Sequence, residues 1–214
     1  MSFVRPSNEV SRHLFEKYSD FYDNSGFINN YLGKWDIEIS NMAPPTPLLD
    51  IGCGPGRLLN KLLLAGYTNL SGIDITRRGL QLAKSKVFSS GMDSSVSFAE
   101  ALAEFLPFAD NSFNSITISG VLHHMEKPEV VLNEAARVLK NNGTLIIADP
   151  YFPPLMRHFI NAVLSIYPIA GDRRFNTSEG VEKLARRSGF EKKKMINMPL
   201  AYILVFQKCF NSAS

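Results

Sequence analysis

The chain has 214 residues, 45% hydrophobic and 20% charged, with a formal net charge of +3. That is enough for one substantial core and too little for two full domains; no internal repeat, low-complexity tract or apolar run of bilayer-spanning length appears. The two cysteines, Cys53 and Cys209, exclude a disulfide framework and a cysteine-based zinc site, and without a leader-like opening segment a cytoplasmic protein is expected.

In the first 40 residues Val10, Leu14, Tyr18 and Phe21 recur at helical spacing, followed by Tyr22 and a looser stretch to Trp35. The most informative stretch comes next. An apolar run ending in Leu48-Leu49-Asp50-Ile51 meets three alternate glycines, Gly52, Gly54 and Gly56, and passes into the helical pattern Leu58 to Ala65. Strand, glycine loop and helix start form the entrance to a nucleotide-type pocket: the glycines let the backbone lie against a ligand, and the amides at the helix start face it. The dinucleotide fingerprint G-x-G-x-x-G would need glycine at position 57, which is Arg57.

A second apolar segment, Asn69 to Ile75, carries Asp74 at its end, 22 residues after Gly52. That spacing suits a carboxylate accepting both ribose hydroxyls; the alternative is an ordinary loop or N-cap aspartate. Strands are predicted at 47–51, 70–74, 95–99, 114–119 and 143–148, alternating with helical pattern, which implies a parallel sheet with helices on both faces. The clearest helix runs from Pro128 to Lys140, with Val131, Ala135 and Val138 on one stripe and Asn142-Gly143 as a left-handed stop. A helical segment near Leu155 to Ile166, a helix near Ser178 to Ser188 and two strand-like runs ending in Ala201 to Gln207 complete the chain.

In order and spacing these segments resemble the class I S-adenosylmethionine-dependent methyltransferases, in the branch typified by quinone-biosynthesis C-methyltransferases. The resemblance rests on Leu49-Asp50-Ile51-Gly52-Cys53-Gly54-Pro55-Gly56, Gly72-Ile73-Asp74-Ile75, Leu106-Pro107-Phe108-Ala109-Asp110-Asn111-Ser112-Phe113, Leu122-His123-His124 and Glu134-Ala135-Ala136-Arg137-Val138-Leu139-Lys140. It implies a Rossmann-like α/β fold: a seven-stranded, mostly parallel sheet with helices on both faces and a C-terminal antiparallel hairpin. Residues 1–45 would form a helical lid and 46–214 the S-adenosylmethionine-binding domain. The cofactor would touch Tyr18, Tyr22, Asp50, Gly52, Cys53, Gly54, Gly56, Asp74, Ile75, Leu102, Ala103 and Ser119. Cys53 reads as a compact space-filling residue, since methyl transfer needs no enzyme nucleophile.

One departure stands out. The family places an aspartate after the third strand to accept from the adenine amino group, and Leu102 holds that register here; the backbone at Leu102 and Ala103, or Glu104, would have to serve instead. Alignment and exclusion of water supply most of the catalysis of methyl transfer, and a base is needed only for a proton-bearing acceptor. His123 and His124 follow the fourth strand, at the carboxyl edge where such sheets bind ligands, and His124 is expected to face the substrate.

The place after the fourth strand reads Ser119-Gly120-Val121-Leu122, not the Asn/Asp-Pro-Pro-aromatic motif of amine-methylating nucleic-acid enzymes. The expected activity is therefore methyl transfer to the O, N or C of a small-molecule acceptor, without a metal. A non-catalytic S-adenosylmethionine-binding module and a nicotinamide-dependent oxidoreductase are the alternatives. Residues 151–214 hold 10 Lys/Arg against 4 Asp/Glu, and residues 1–150 hold 13 against 16; this basic excess reads as a solvated helix face and a charged turn, because few aromatic residues lie among the charges to stack on bases.

Overall fold

The computed structural model describes residues 7–42, 44–91, 93–166 and 174–209. Two helices, α1 (Ser7–Asn24) and α2 (Gly26–Asn41), precede an alternating series: β1 (Leu48–Ile51), α3 (Arg57–Leu64), β2 (Leu70–Asp74), α4 (Arg77–Ser90), β3 (Val96–Glu100), β4 (Phe113–Ser119), α5 (Pro128–Val138) and β5 (Leu139–Pro150). Then come α6 (Pro154–Ile166), α7 (Ser178–Arg187), β6 (Phe190–Met198) and β7 (Ala201–Lys208). The seven strands form one sheet in the order β3-β2-β1-β4-β5-β7-β6. The first five are parallel, and β7 runs antiparallel to both β5 and β6. The sheet expected from the sequence is the one observed.

Strand periodicity divides the core into two layers. Leu49, Ile51, Ile116, Ile118, Leu145 and Ile147 point to one face and pack with Val131, Leu132 and Ala135 of α5 and Val181 and Ala185 of α7. Leu48, Ile146, Ala148 and Ile203 point to the other and pack with Leu58, Leu59, Leu62 and Leu63 of α3 and with Trp35 and Ile39 of α2. The strand order reverses beside β1, so the carboxyl ends of β1 and β4 open a crevice that the glycine loop enters.

Three local expectations change. The loose stretch after Tyr22 is a full helix, α2, whose buried side is interrupted by the charged Asp36, so its apolar stripe is hard to see in sequence. The α5 helix stops at Val138 rather than Lys140, and β5 begins immediately at Leu139. Between the pairs Phe113–Leu139 and Ser115–Thr144 the ladder shifts register, and Asn142 takes a left-handed conformation at φ 61°. A side chain at Gly143 would sit 2.7 Å from Leu139 Cγ, so the strand bulges through this turn instead of starting after it. The third strand begins at Val96, one residue later than expected.

Candidate active site

The glycine loop is held from below by β2. The amides of Gly52 and Cys53 both donate to Ile73 O, at 2.8 and 2.9 Å, and Gly54 N donates to Asp74 Oδ2 at 2.8 Å. The three glycines are not equivalent. A Cβ on Gly52 would lie 2.6 Å from Val121 Cγ2, and one on Gly56 2.8 Å from Ala83 Cβ, so these two permit close packing within the protein. At Gly54 (φ 48°) the nearest atom to such a Cβ is Asp74 Oδ2 at 4.0 Å. Its missing side chain opens onto the crevice, leaving a cradle of backbone that a ligand can lie against.

Asp74 is fixed as well as placed. Its Oδ1 accepts from Thr76 N at 2.8 Å and from Thr76 Oγ1 at 2.6 Å, while Oδ2 takes the Gly54 amide. Burial raises its pKa above the ordinary carboxylate value, and the Thr76 and Gly54 hydrogen bonds oppose that shift. Asp50, the β1 residue in register with Thr117, accepts a hydrogen bond of 2.6 Å from Thr117 Oγ1. Burial pushes Asp50 up to about 7; Thr117 lowers it and the neighbouring Asp36 carboxylate raises it. Asp36, fully withdrawn from solvent on α2, pairs with Arg57 at the start of α3, with Nη2 to Oδ1 at 3.1 Å and a second contact through Nε. That fork ties α2 to the residue following the glycine loop.

At the carboxyl edge of β4 and β5 the structure brings together residues distant in sequence. His123 Nδ1 lies 2.8 Å from Asp149 Oδ1, with Asp149 fully buried and the His123 side chain 8% exposed. The other carboxylate oxygen, Oδ2, is buried and meets no hydrogen-bond partner among the described residues, so the imidazole carries most of the compensation of that charge. The His123 ring stacks on Phe175 at 4.9 Å and 20°, Phe175 meets Phe152 edge-on at 4.8 Å, and His124 packs between His123 at 3.8 Å and Phe15 at 4.6 Å. Asn161 of α6 clips the Phe175 backbone on both sides, donating to its carbonyl at 3.1 Å and accepting from its amide at 2.9 Å.

His123, His124, Phe15, Phe152 and Phe175 line, together with the glycine loop and Asp74, one cavity of about 520 Å³, a size ordinary for small-molecule sites. Its walls include Asp50, Gly52, Cys53, Gly54, Asp74, Ile75, Leu102, Ala103, Ser119, His123 and His124, all expected there. Two expected contacts are not on the wall. Gly56 is turned to Ala83. Tyr18 is 39% exposed, because α1 presents Phe15 and Ser19 to the cavity and rotates Tyr18 outward. The Tyr22 side chain lies outside the described residues. Leu102 lines the cavity with its carbonyl engaged by Phe105 N at 3.1 Å, and Glu104 stands beside it. Burial raises the Cys53 thiol well above its ordinary value, as expected of a space-filling residue rather than a nucleophile.

The sequence reading put Asp149 at this edge without pairing it to His123, and missed Asp36, Arg57, Phe15 and Phe175 as members of this cluster. Only Asp149 carried a signal, as a carboxylate at the end of a predicted strand; the others are joined by tertiary packing. Helix α1 covers this side largely through polar contacts: Asp20 with Arg78 at 2.5 and 3.0 Å, Glu16 with Arg78 N at 3.1 Å, Asp23 with Lys86, and Arg12 with Glu100. No group of three or more His, Cys, Asp or Glu side chains able to hold a metal occurs among the described residues. Nor is any described helix long and apolar enough to cross a membrane.

The fold and the cradle define an S-adenosylmethionine-dependent methyltransferase, and the comparisons agree: residues 49–147 match the family described as a methyltransferase domain, and the chain belongs to this family. It is 31% identical over 183 residues to the ubiquinone/menaquinone biosynthesis C-methyltransferase UbiE of Ectopseudomonas mendocina, covering 83% of this chain and 72% of that enzyme. It is 29% identical over 159 residues to the 27-O-demethylrifamycin SV methyltransferase of Amycolatopsis mediterranei, covering 66% of this chain and 58% of that one. In fold it is similar to an S-adenosylmethionine-dependent methyltransferase of Thermotoga maritima, with a TM-score of 0.73 at 20% identity, covering 92% of this chain and 99% of that one. The residues present suit S-adenosylmethionine: an open backbone cradle at Gly54, a fixed carboxylate at Asp74 and a buried carboxylate at Asp50 meet a ligand with a ribose and positive charge.

Proposed function

We propose that the chain transfers a methyl group to the hydroxyl oxygen of a small, largely apolar acceptor. The observation that carries this reading is the buried His123–Asp149 pair, whose His123 ring lies on the wall of the cavity that holds the glycine cradle. A hydroxyl that loses its proton on methylation is served by such a pair, as an amine or a ring carbon would be, and the surrounding rings of Phe15, Phe152 and Phe175 favour an apolar body over a charged one.

In this reading Asp74 accepts the ribose hydroxyls, the backbone around Gly54 lies along the ligand, and Asp50 and Arg57 take its charged amino-acid end. Glu104 replaces the aspartate that the sequence lacks at position 102 as acceptor for the adenine amino group. Residues 1–45 act as the lid, with Phe15 and Ser19 as its inner surface.

When bound, S-adenosylmethionine supplies a methyl carbon on a positive sulfur, which keeps the electron pair of the broken bond. The chain's own part is alignment, dryness and proton removal. Because a carboxylate can only accept, Nδ1 of His123 carries the proton toward Asp149, which leaves the lone pair of the neutral ring on Nε2. Nε2 takes the hydroxyl proton as the oxygen attacks, and Asp149 stabilises the resulting imidazolium. The base is therefore His123, with His124 holding the ring against α1.

The test is a panel of apolar phenols and alcohols offered with methyl-labelled S-adenosylmethionine. Transfer to a hydroxyl oxygen supports the reading. Transfer only to carbon or nitrogen, or cofactor binding with no transfer to any acceptor, overturns it.

A further inference from the structure

The hairpin between β6 and β7 turns on two residues, Pro199 and Leu200, since Met198 and Ala201 are the last register partners. Proline fixes its own φ near −65°, which removes the loop from the primed turns that suit two-residue hairpins and leaves the second position to supply left-handed backbone. Leu200 does so, at φ 56°. That position normally belongs to glycine or asparagine, because the Cβ of other residues crowds the neighbouring carbonyl. Among the described residues the other left-handed non-glycine positions are Asn69, Asn111 and Asn142, all asparagine. Leu200 is the exception.

The hydrogen bonds of the turn do not explain a leucine. Leu200 O accepts from the Tyr31 hydroxyl at 2.6 Å and from Tyr151 N at 2.8 Å, which ties the turn to α2 and to the end of β5. Both contacts use the backbone alone, so asparagine or glycine would keep them without the strain. What distinguishes leucine is its side chain, at a residue that lines the cavity and leaves 52% of its surface in solvent. Strained backbone persists where the surroundings over-determine it, and such positions cluster at ligand sites.

We propose that Leu200 is a specificity-determining residue at the acceptor end of the chamber, held in strained backbone so that an aliphatic surface meets the apolar body of the acceptor. The inference rests on the apolar-acceptor reading above. Covering by an acceptor takes this exposed surface out of water, which favours apolar acceptors over polar ones of similar size. The cofactor end, built on Gly54 and Asp74, is not involved.

The test uses 2-naphthol as the probe, titrated by calorimetry into the full chain saturated with S-adenosylhomocysteine, for wild type, Leu200→Asn, Leu200→Gly and Leu200→Met. We expect the Asn and Gly variants to bind S-adenosylhomocysteine within twofold of wild type, Leu200→Asn to melt no lower, and naphthol affinity to fall about five- to twentyfold in both, with Leu200→Met close to wild type. Unchanged naphthol affinity in the Asn and Gly variants would overturn the proposal and leave the acceptor reading standing. Parallel loss of S-adenosylhomocysteine binding would also overturn it, by making Leu200 a general prop of the pocket. A wild-type complex that binds S-adenosylhomocysteine and no naphthol would overturn the apolar-acceptor reading, and this proposal with it.

Discussion

His123 and Asp149, 26 residues apart in sequence, meet at 2.8 Å between Nδ1 and Oδ1 where the adjacent parallel strands β4 and β5 end. A buried carboxylate facing an imidazole at a cavity wall fixes the tautomer of that ring, and with it the nitrogen that faces chemistry. His123→Ala is expected to lower turnover about 10²-fold or more once an acceptor is known. Asp149→Asn should fall similarly because the amide can hold the wrong tautomer, while His124→Ala loses less than tenfold. S-adenosylhomocysteine affinity should hold in all three. A larger loss in His124→Ala than in His123→Ala would transfer the proton-accepting role to His124.

Asp74 receives three hydrogen bonds from its own chain and still lines the cavity. Asp74→Ala removes charge-assisted bonds worth roughly 1.5–3 kcal/mol, so cofactor affinity should drop about 10- to 150-fold. Calorimetry with S-adenosylhomocysteine measures this, alongside a melting curve to separate ligand loss from loosening of the Gly54 loop. A drop of less than threefold would reduce Asp74 to a structural loop residue.

Gly54→Val and Gly52→Val should fail differently. At Gly54 the added side chain meets open cavity, so the variant should stay folded and lose cofactor binding; at Gly52 it collides with Val121, so folding itself should suffer. Circular dichroism and ligand titration on the two variants check this pair. Normal S-adenosylhomocysteine binding by folded Gly54→Val would remove the loop from the ligand site.

Asp50 should make both stability and cofactor affinity depend on pH. Its folded value of about 7 lies above the ordinary 3.8, so the fold binds this proton more tightly than the unfolded chain does. The stability it contributes is fully present below about pH 4 and is lost as pH rises through 7. A positively charged ligand beside it favours the ionised form, so S-adenosylmethionine affinity should rise from pH 6 to pH 8, with a proton released on binding below pH 7. Asp50→Asn should flatten both profiles, read from melting curves and from titrations in buffers of different ionisation enthalpy. An unchanged pH profile in that variant would place the titration elsewhere.

The glycine-loop wall of the cavity was legible in the sequence because its signals are local. Strand, glycine loop and the carboxylate 22 residues beyond lie within one βαβ segment, where backbone geometry leaves few alternatives. The alternating pattern likewise announced the five parallel strands, whereas the closing antiparallel hairpin was what the family resemblance implied. Tertiary structure alone decided which side chains face the crevice. The rotation of α1 selects Phe15 and Ser19 over Tyr18. The interrupted stripe of α2 hid a helix whose Asp36 reaches Arg57 across the loop. The parallel register of β4 and β5 joins His123 to Asp149, a pairing that a histidine doublet cannot announce, since both of its members stand at the same strand end until packing gives one a buried carboxylate and the other an aromatic neighbour. Short-range backbone chemistry is written in consecutive residues, whereas the partner of a buried charge is set by the register of strands far apart in the chain.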